Sequence, residues 1–311
     1  MTKRITLLLA ALVLLMTAVP ALHAAEPSRP VLIGFSQDTL ANDWRVAQAE
    51  GLRQAFARYP NIRFVVTDGR GNTARQIRDV EDLVNMKVDV LMVSPRDSLA
   101  MTPVIKAAYR RGIPVVLITR TINSDDYTSF VAPDDALIAR DAARYMAQTL
   151  AGKGKILILQ GVPTATTARA RTEAFEAELR HYPGMHVAAL KVGNYLRSDA
   201  IRAVEEVLQQ RIAFNAIYAQ SDSMAAGARV ALRQAGRDPR TVLTVGIDYI
   251  AEARQAIRSG EQSASFVYPT CAREAAAVAL SILRGKAVPK RVLVTSEMVT
   301  RDNVEQVAPI F

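Results

Sequence analysis

The sequence predicts an α/β fold made of two similar, doubly wound parallel-sheet lobes in one chain, and three observations carry that prediction. Short runs rich in Val and Ile, bounded by Gly, Pro, Asp or Asn, alternate with longer helical patterns through nearly the whole chain after residue 30, which is the β-α-β-α order of an α/β protein. The runs are continuously apolar rather than alternating, so both faces of each strand are buried, as parallel sheets require. One helix-strand-turn unit also occurs twice.

In chain order, strands are expected at Val31 to Ser36, Arg63 to Thr67, Val88 to Val93, Pro114 to Ile118, Lys155 to Gln160, Phe214 to Ala219 and Val242 to Ile247. Helices lie between them, among them Trp44 to Tyr59, Thr73 to Met86, Ala136 to Leu150 and Met224 to Ala235. The recurrence pairs Ile77-Arg78-Asp79-Val80-Glu81-Asp82-Leu83-Val84 with Ile201-Arg202-Ala203-Val204-Glu205-Glu206-Val207-Leu208. In both copies a strand follows and ends in a polar stretch, Ser94-Pro95-Arg96-Asp97-Ser98 in one and Gln220-Ser221-Asp222-Ser223 in the other. Two similar amphipathic helices alone could arise by chance. Helix, strand and polar ending in the same order point to duplication of one lobe.

The first 25 residues stand apart. Lys3 and Arg4 precede an apolar run from Ile5 to Leu22, broken by Thr6, Thr17 and Pro20, that ends in Ala21-Leu22-His23-Ala24-Ala25. That is the layout of a secretory signal peptide cleaved near Ala24 or Ala25; its unbroken part is shorter than the roughly 20 residues of a membrane-spanning helix. No Cys follows the run, so a lipid-anchored form is not expected. The single cysteine, Cys271, permits no intramolecular disulfide, and export without disulfides fits a bacterial periplasm. The remaining length suits two domains. The net charge of +9 includes Lys3 and Arg4, and the other basic residues are dispersed among Glu and Asp along helices, which reads as a solvated surface with no nucleic-acid footprint.

Motifs of catalysis are missing from the sequence. It contains no Gly-x-Ser-x-Gly elbow and no phosphate loop ending in Gly-Lys-Ser or Gly-Lys-Thr. Gly152-Lys153-Gly154-Lys155 precedes a strand rather than following one and reads as a turn; Gly69-Arg70-Gly71 lacks the third glycine of a dinucleotide site. His181 and His186 flank Tyr182-Pro183-Gly184, a turn, and have no further His or Cys beside them, so neither a metal nor any other cofactor is expected.

Two lobes create a cleft, and in open parallel sheets ligands sit beyond the carboxyl ends of the strands. The residues there are polar although each follows an apolar strand: Ser36, Ser94, Thr119 and Arg120, Gln160, Gln220 to Asp222, and Asp248. Asn42-Asp43-Trp44-Arg45 follows the first strand. Carboxylates as acceptors, Arg as a fixed multi-donor fork and an aromatic face suit a hydroxyl-rich ring with an apolar C–H side. Plainer readings exist: Trp44 as core, Arg45 as a surface helix residue, Arg120 as a salt-bridge partner, and Asp248 and Asp222 as helix caps.

Ile33-Gly34-Phe35-Ser36-Gln37 with Trp44-Arg45, Leu159-Gln160-Gly161, Thr166 to Phe175, Tyr218-Ala219-Gln220-Ser221-Asp222-Ser223-Met224-Ala225 and Val245-Gly246-Ile247-Asp248 together resemble the ribose/galactose-type periplasmic sugar-binding proteins. The Phe-Ser-Gln and Trp-Arg pairs most resemble the galactofuranose-binding subgroup, and the similarity runs in order over nearly all of Val31 to Val299. The resemblance implies a non-catalytic, monomeric receptor of the type I periplasmic binding fold that closes around a monosaccharide and hands it to a membrane ABC permease; a sensor kinase or chemoreceptor is the alternative partner. It implies a multi-strand hinge with crossings near Ser129, Phe266 and Pro289, hence a first lobe of 26–128 plus 269–288 and a second of 129–268 plus 289–311. It places Ser36, Asn42, Trp44 and Arg45 at one face of the ring, Arg120, Arg171 and Asp248 on hydroxyls, Tyr195 as the aromatic of the second lobe, Ser94 and Ser221 where Asn is usual, and Tyr268 near a hinge crossing. Arg171, as a cleft residue, is expected to support no core. Thr119-Arg120 stands where the family has Asp-Arg, and with Ser for Asn twice this changes which hydroxyls are satisfied and tells against ribose itself.

Overall fold

The computed structural model describes residues 30–311; the expected signal peptide lies outside them. The first lobe is built on β1 (Val31–Gln37), β2 (Ile62–Asp68), β3 (Val90–Ser94), β4 (Val115–Ile118), β5 (Ser129–Ala132) and β11 (Arg291–Leu293), with α1 (Asp43–Phe56), α2 (Thr73–Asn85), α3 (Thr102–Arg110) and α9 (Ala272–Leu283) around the sheet. The second is built on β6 (Gly154–Gln160), β7 (Met185–Val192), β8 (Ala216–Ala219), β9 (Leu243–Asp248), β10 (Ala264–Val267) and β12 (Met298–Thr300), with α4 (Asp135–Thr149), α5 (Thr166–Leu179), α6 (Arg197–Gln209), α7 (Asp222–Gln234) and α8 (Ala251–Ser259).

The strand orders are β11-β5-β4-β3-β1-β2 and β12-β10-β9-β8-β6-β7. The two orders correspond position for position, with β1 matching β6 and β3 matching β8. The two copies of the sequence repeat are α2 and α6, each leading into the strand next to its lobe's first strand. This order reverses direction between β1 and β3, and between β6 and β8, which is where a doubly wound sheet opens a crevice. Each sheet is covered on both faces: Phe35, Leu52 and Val116 pack with α9 on one side of the first sheet, Leu83, Leu91 and Ile105 on the other.

Two expected crossings move. Ser129–Ala132 pairs with β4, and Arg291–Leu293 pairs with β5, so both strands belong to the first sheet and not to the second lobe. The chain changes lobe after β5, between β10 and α9, and between β11 and β12. These strands have three or four residues each, too short for an apolar run to reveal which sheet recruits them. The second sheet is also not wholly parallel, because β12 runs antiparallel to β10.

Candidate functional site

Between the lobes lies a small cavity, about 30 Å3, lined by Asn42, Trp44, Arg45, Thr119, Thr167, Arg171, Tyr195, Ser221, Asp248 and Tyr268. A larger groove, about 390 Å3, runs along α4 and the segment from Leu293 to Met298, away from the strand ends of the two lobes where a doubly wound sheet places its ligand. The walls of the interlobe cavity are strand ends and helix starts, and several residues there have the left-handed backbone that side chains rarely adopt: Thr119 (φ 59), Asn194 (φ 51), Tyr195 (φ 63), Asp248 (φ 118) and Tyr249 (φ 58). Such conformations persist only where surrounding bonds hold them, and they cluster at binding sites.

Asn42 caps α1, its Oδ1 accepting from the Trp44 and Arg45 backbone N–H groups, while its Nδ2 donates to the Tyr195 carbonyl of the second lobe at 2.6 Å. Trp44 projects from the first lobe into the apolar core of the second, its Nε1–H donating to the Tyr268 carbonyl at 3.0 Å and its ring tilted against Tyr268 at 5.7 Å. Arg45 stacks over Trp44 at 5.0 Å and donates through Nη1 to Ser94 Oγ at 2.9 Å. Burial, then repulsion by Arg120, pushes its guanidinium down to about 10, so it stays charged at neutral pH.

On the second lobe, Arg171 donates from Nε to Asp135 at 2.8 Å and from Nη1 to the Gln220 carbonyl at 2.6 Å, and it lies 4.4 Å over the Tyr268 ring. Burial opposes its charge, but Asp135, Tyr268, Tyr195 and Asp248 together outweigh that and hold Arg171 well above the ordinary arginine value. Tyr195 packs flat over Gly161, where an added Cβ would sit 1.9 Å from the ring; its hydroxyl meets Thr167 Oγ1 at 3.0 Å. Ser221 caps α7 through Oγ, which leaves its hydroxyl proton free to donate into the cavity. Among the described residues no side chain hydrogen-bonds to the carboxyl of Asp248, which is 6% exposed. Burial, then the neighbouring Asp222, pushes it well above the usual carboxylate range, opposed by Arg171 and Arg45.

Eight residues expected at the site therefore line the cavity: Asn42, Trp44, Arg45, Arg171, Tyr195, Ser221, Asp248 and Tyr268. Ser36, Ser94 and Arg120 are buried behind the lining. Ser94 holds Arg45 in place. Arg120 is the salt-bridge partner of Asp38, at 2.7 Å from Nη1, with its guanidinium 5.5 Å from the Tyr195 ring. Asp222 is not the cap of α7, a part taken by Ser221; its carboxyl turns sideways into the lobe. Asp38 and Asp135 were not legible as site residues. Asp38 sits within reach of three guanidiniums, those of Arg120, Arg45 (3.4 Å) and Arg96 (3.8 Å). Burial raises its pKa, but these cations, led by Arg120, hold it below the ordinary value. A closer reading of the strand ends would have found Asp38, which directly follows β1; Asp135 looks like any first-turn helix acid.

The lobes also meet outside the cavity. Ser98 N–H donates to the Thr164 carbonyl at 3.1 Å, Thr164 Oγ1 to the Arg96 carbonyl at 3.2 Å, and Arg169 to Ser98 Oγ at 2.9 Å. These polar contacts tie the lips of the cleft together along that edge.

Comparison with known proteins gives the same architecture. Residues 33–287 match the family model described as a periplasmic binding protein domain. The chain is 29% identical over 264 residues to the ribose import binding protein RbsB of Bacillus subtilis, covering 84% of each chain. Among solved structures it superposes on the fructose-binding periplasmic domain of the hybrid two-component system BT1754 with a TM-score of 0.84 and 28% identity, over 88% of this chain and 92% of that one. It superposes on a galactofuranose-binding protein with a TM-score of 0.84 and 25% identity, over 89% and 97%. With the family model spanning most of the chain and both lobes shared with these structures, the chain belongs to the periplasmic binding proteins of the ribose/galactose sugar-binding type.

Proposed function

We propose that this protein is the periplasmic solute-binding component of an ABC-type sugar importer, closing around one monosaccharide and delivering it to a membrane permease, with no catalysis of its own. The observation that carries this reading is the convergence, in one interlobe cavity, of the Asp248 carboxyl, the Arg45 and Arg171 guanidiniums and the rings of Trp44, Tyr195 and Tyr268. A carboxylate has acceptor sites beyond the one its backbone neighbour fills, and a sugar hydroxyl is a donor that such a wall accommodates while its C–H face lies on Trp44, Tyr195 or Tyr268. Relatives named for ribose, xylitol and galactofuranose binding support the class of ligand. Ser221 and Thr119 in the walls support a monosaccharide other than ribose.

A thermal-shift screen of pentoses, hexoses, furanose forms and polyols tests this. At about 100 times its dissociation constant a bound sugar adds about 2.7 kcal/mol of stability, which is a clear rise in melting temperature. A panel without one hit would sink the sugar assignment. The similarity to the periplasmic domain of a two-component system supports a second reading, a sugar sensor whose closed form is read by a membrane kinase. Reconstitution with the organism's permease separates the two, since sugar-dependent ATPase stimulation belongs to an importer alone.

A further inference from the structure

Behind the second-lobe wall of the cavity lies a buried polar network that ligand contact does not explain. Asp222, 1% exposed, begins α7, yet its carboxylate accepts three hydrogen bonds from other elements. Oδ2 accepts from the Tyr249 backbone N–H at 2.7 Å and from Ser265 Oγ at 2.6 Å, and Oδ1 accepts from Gln262 Nε2 at 2.7 Å. Gln262 is itself oriented by Arg229, which donates to its Oε1 at 2.6 Å, and Arg229 reaches on to Glu252 of α8 at 3.4 Å. The backbone makes room for this: a Cβ on Gly246 would lie 1.9 Å from Asp222 Oδ1.

The bond to Tyr249 has a particular consequence. Asp248 and Tyr249 both have positive φ, 118° and 58°, and neither is the glycine that such a turn prefers. The Asp222 carboxylate therefore grips the strained turn that aims Asp248 into the cavity. The Asp222 main-chain N–H also bonds to the Asp248 carboxyl, so the two buried acids are neighbours. Two carboxyls in one low-dielectric site resist simultaneous ionisation, so their protons are released as those of a pair.

We propose that Asp222 is a positioning residue for Asp248: it does not reach the cavity, but it fixes the turn that presents the Asp248 carboxyl and makes the acceptor strength of that wall depend on proton uptake by the pair. The inference rests on reading the cavity as the ligand site. The groups facing the pair are Arg229 from α7, with Glu252 of α8 behind it, Gln262 and Ser265 from β10 and the turn before it, Arg171 from α5 and Arg45 from α1. Burial, opposed by the bonds from Ser265 and Gln262, pushes Asp222 up to about 6. Burial raises Asp248 as well, so acid converts an acceptor wall into a donor wall, and sugar held through Asp248 is released as the pair takes up its protons.

The test is made on the sugar-free, full-length mature chain and needs no knowledge of the sugar. Aspartate carboxyl carbons are labelled with 13C and titrated by NMR, with Asp248→Asn identifying the Asp248 signal. The wild-type Asp248 signal is expected to titrate in two coupled steps. In Asp222→Asn it should collapse to one step, displaced to lower pH by about one unit or more. Ser265→Ala, which keeps both carboxyls and removes one donor to Asp222, should move the pair to higher pH, and it serves if Asp222→Asn does not fold. An Asp248 titration unchanged in these variants overturns the proposal and leaves Asp222 a purely structural group. A negative sugar screen would remove the ligand reading without altering this result, so the two failures are distinguishable.

Discussion

At the scale of single residues, the structure changes what Arg171 does. As a cleft arginine it was expected to leave the fold untouched when removed, but it forms a buried ion pair with Asp135 and bonds the Gln220 carbonyl. Removing one partner of a buried pair strands the other and costs about 3–5 kcal/mol. Arg171→Ala should therefore lower the denaturation free energy of the sugar-free protein by that order as well as abolish the sugar-induced shift, and Arg171→Ala with Asp135→Asn should recover part of the loss. Unchanged stability of the sugar-free single variant would return Arg171 to a pure ligand contact. Asp38 makes a pH prediction. Its folded pKa lies below the ordinary 3.8, so its contribution is present above that value and lost as pH falls through the lowered one. Stability measured between about pH 4 and 2 should fall less steeply in Asp38→Asn than in the wild type. Gly161→Ala would force the Tyr195 ring out of its seat and should weaken sugar binding with little change in secondary structure, read by calorimetry and circular dichroism.

Elements place these residues through their ends. Helix α1 starts at Asn42, whose side chain does two separable things: it caps the helix and it bridges to Tyr195 across the cleft. Asn42→Ala loses both, at about 1 kcal/mol for the cap alone. Asn42→Asp keeps the acceptor that caps and loses the donor that bridges, so its sugar-free stability should stay close to wild type while its sugar affinity falls roughly five- to tenfold, the value of about one hydrogen bond. Equal loss of sugar-free stability in the two variants would show that the cap contributes nothing separate from the bridge. Strand ends act likewise: β9 carries Asp248 to the cavity and then turns through Tyr249, held by bonds from α7 and β10, so three elements must be in register before one carboxyl is aimed.

For the whole molecule, the decisive feature is that the first lobe inserts Trp44 into the core of the second. Trp44 is the only tryptophan, and it is 5% exposed with its N–H bonded across the lobes. If ligand stabilises this closed arrangement by differential affinity, titration with a sugar found in the screen should shift tryptophan emission to shorter wavelength and reduce the radius of gyration in solution scattering, both saturating together. A saturating thermal shift with neither change would mean that binding does not close the lobes.

The sequence by itself determined the class of fold, the duplication and most of the cavity lining, because those depend on local patterns: buried strands read as unbroken Val and Ile runs, and polar residues placed directly after them stand out. It could not decide which sheet takes strands of three or four residues such as Ser129–Ala132 and Arg291–Leu293, since their partners come from distant parts of the chain and their own composition is ambiguous. Nor could it separate ligand-facing groups from the groups that hold them. Arg120 and Arg45 look alike as arginines near strand ends, yet Asp38 binds Arg120 behind the wall while Arg45 stays in it. Asp248 and Asp222 look alike as acids at strand and helix ends, yet one lines the cavity and the other grips its turn. Which side of a wall a charge occupies follows from burial and from partners far away in sequence, and only the tertiary structure decides those.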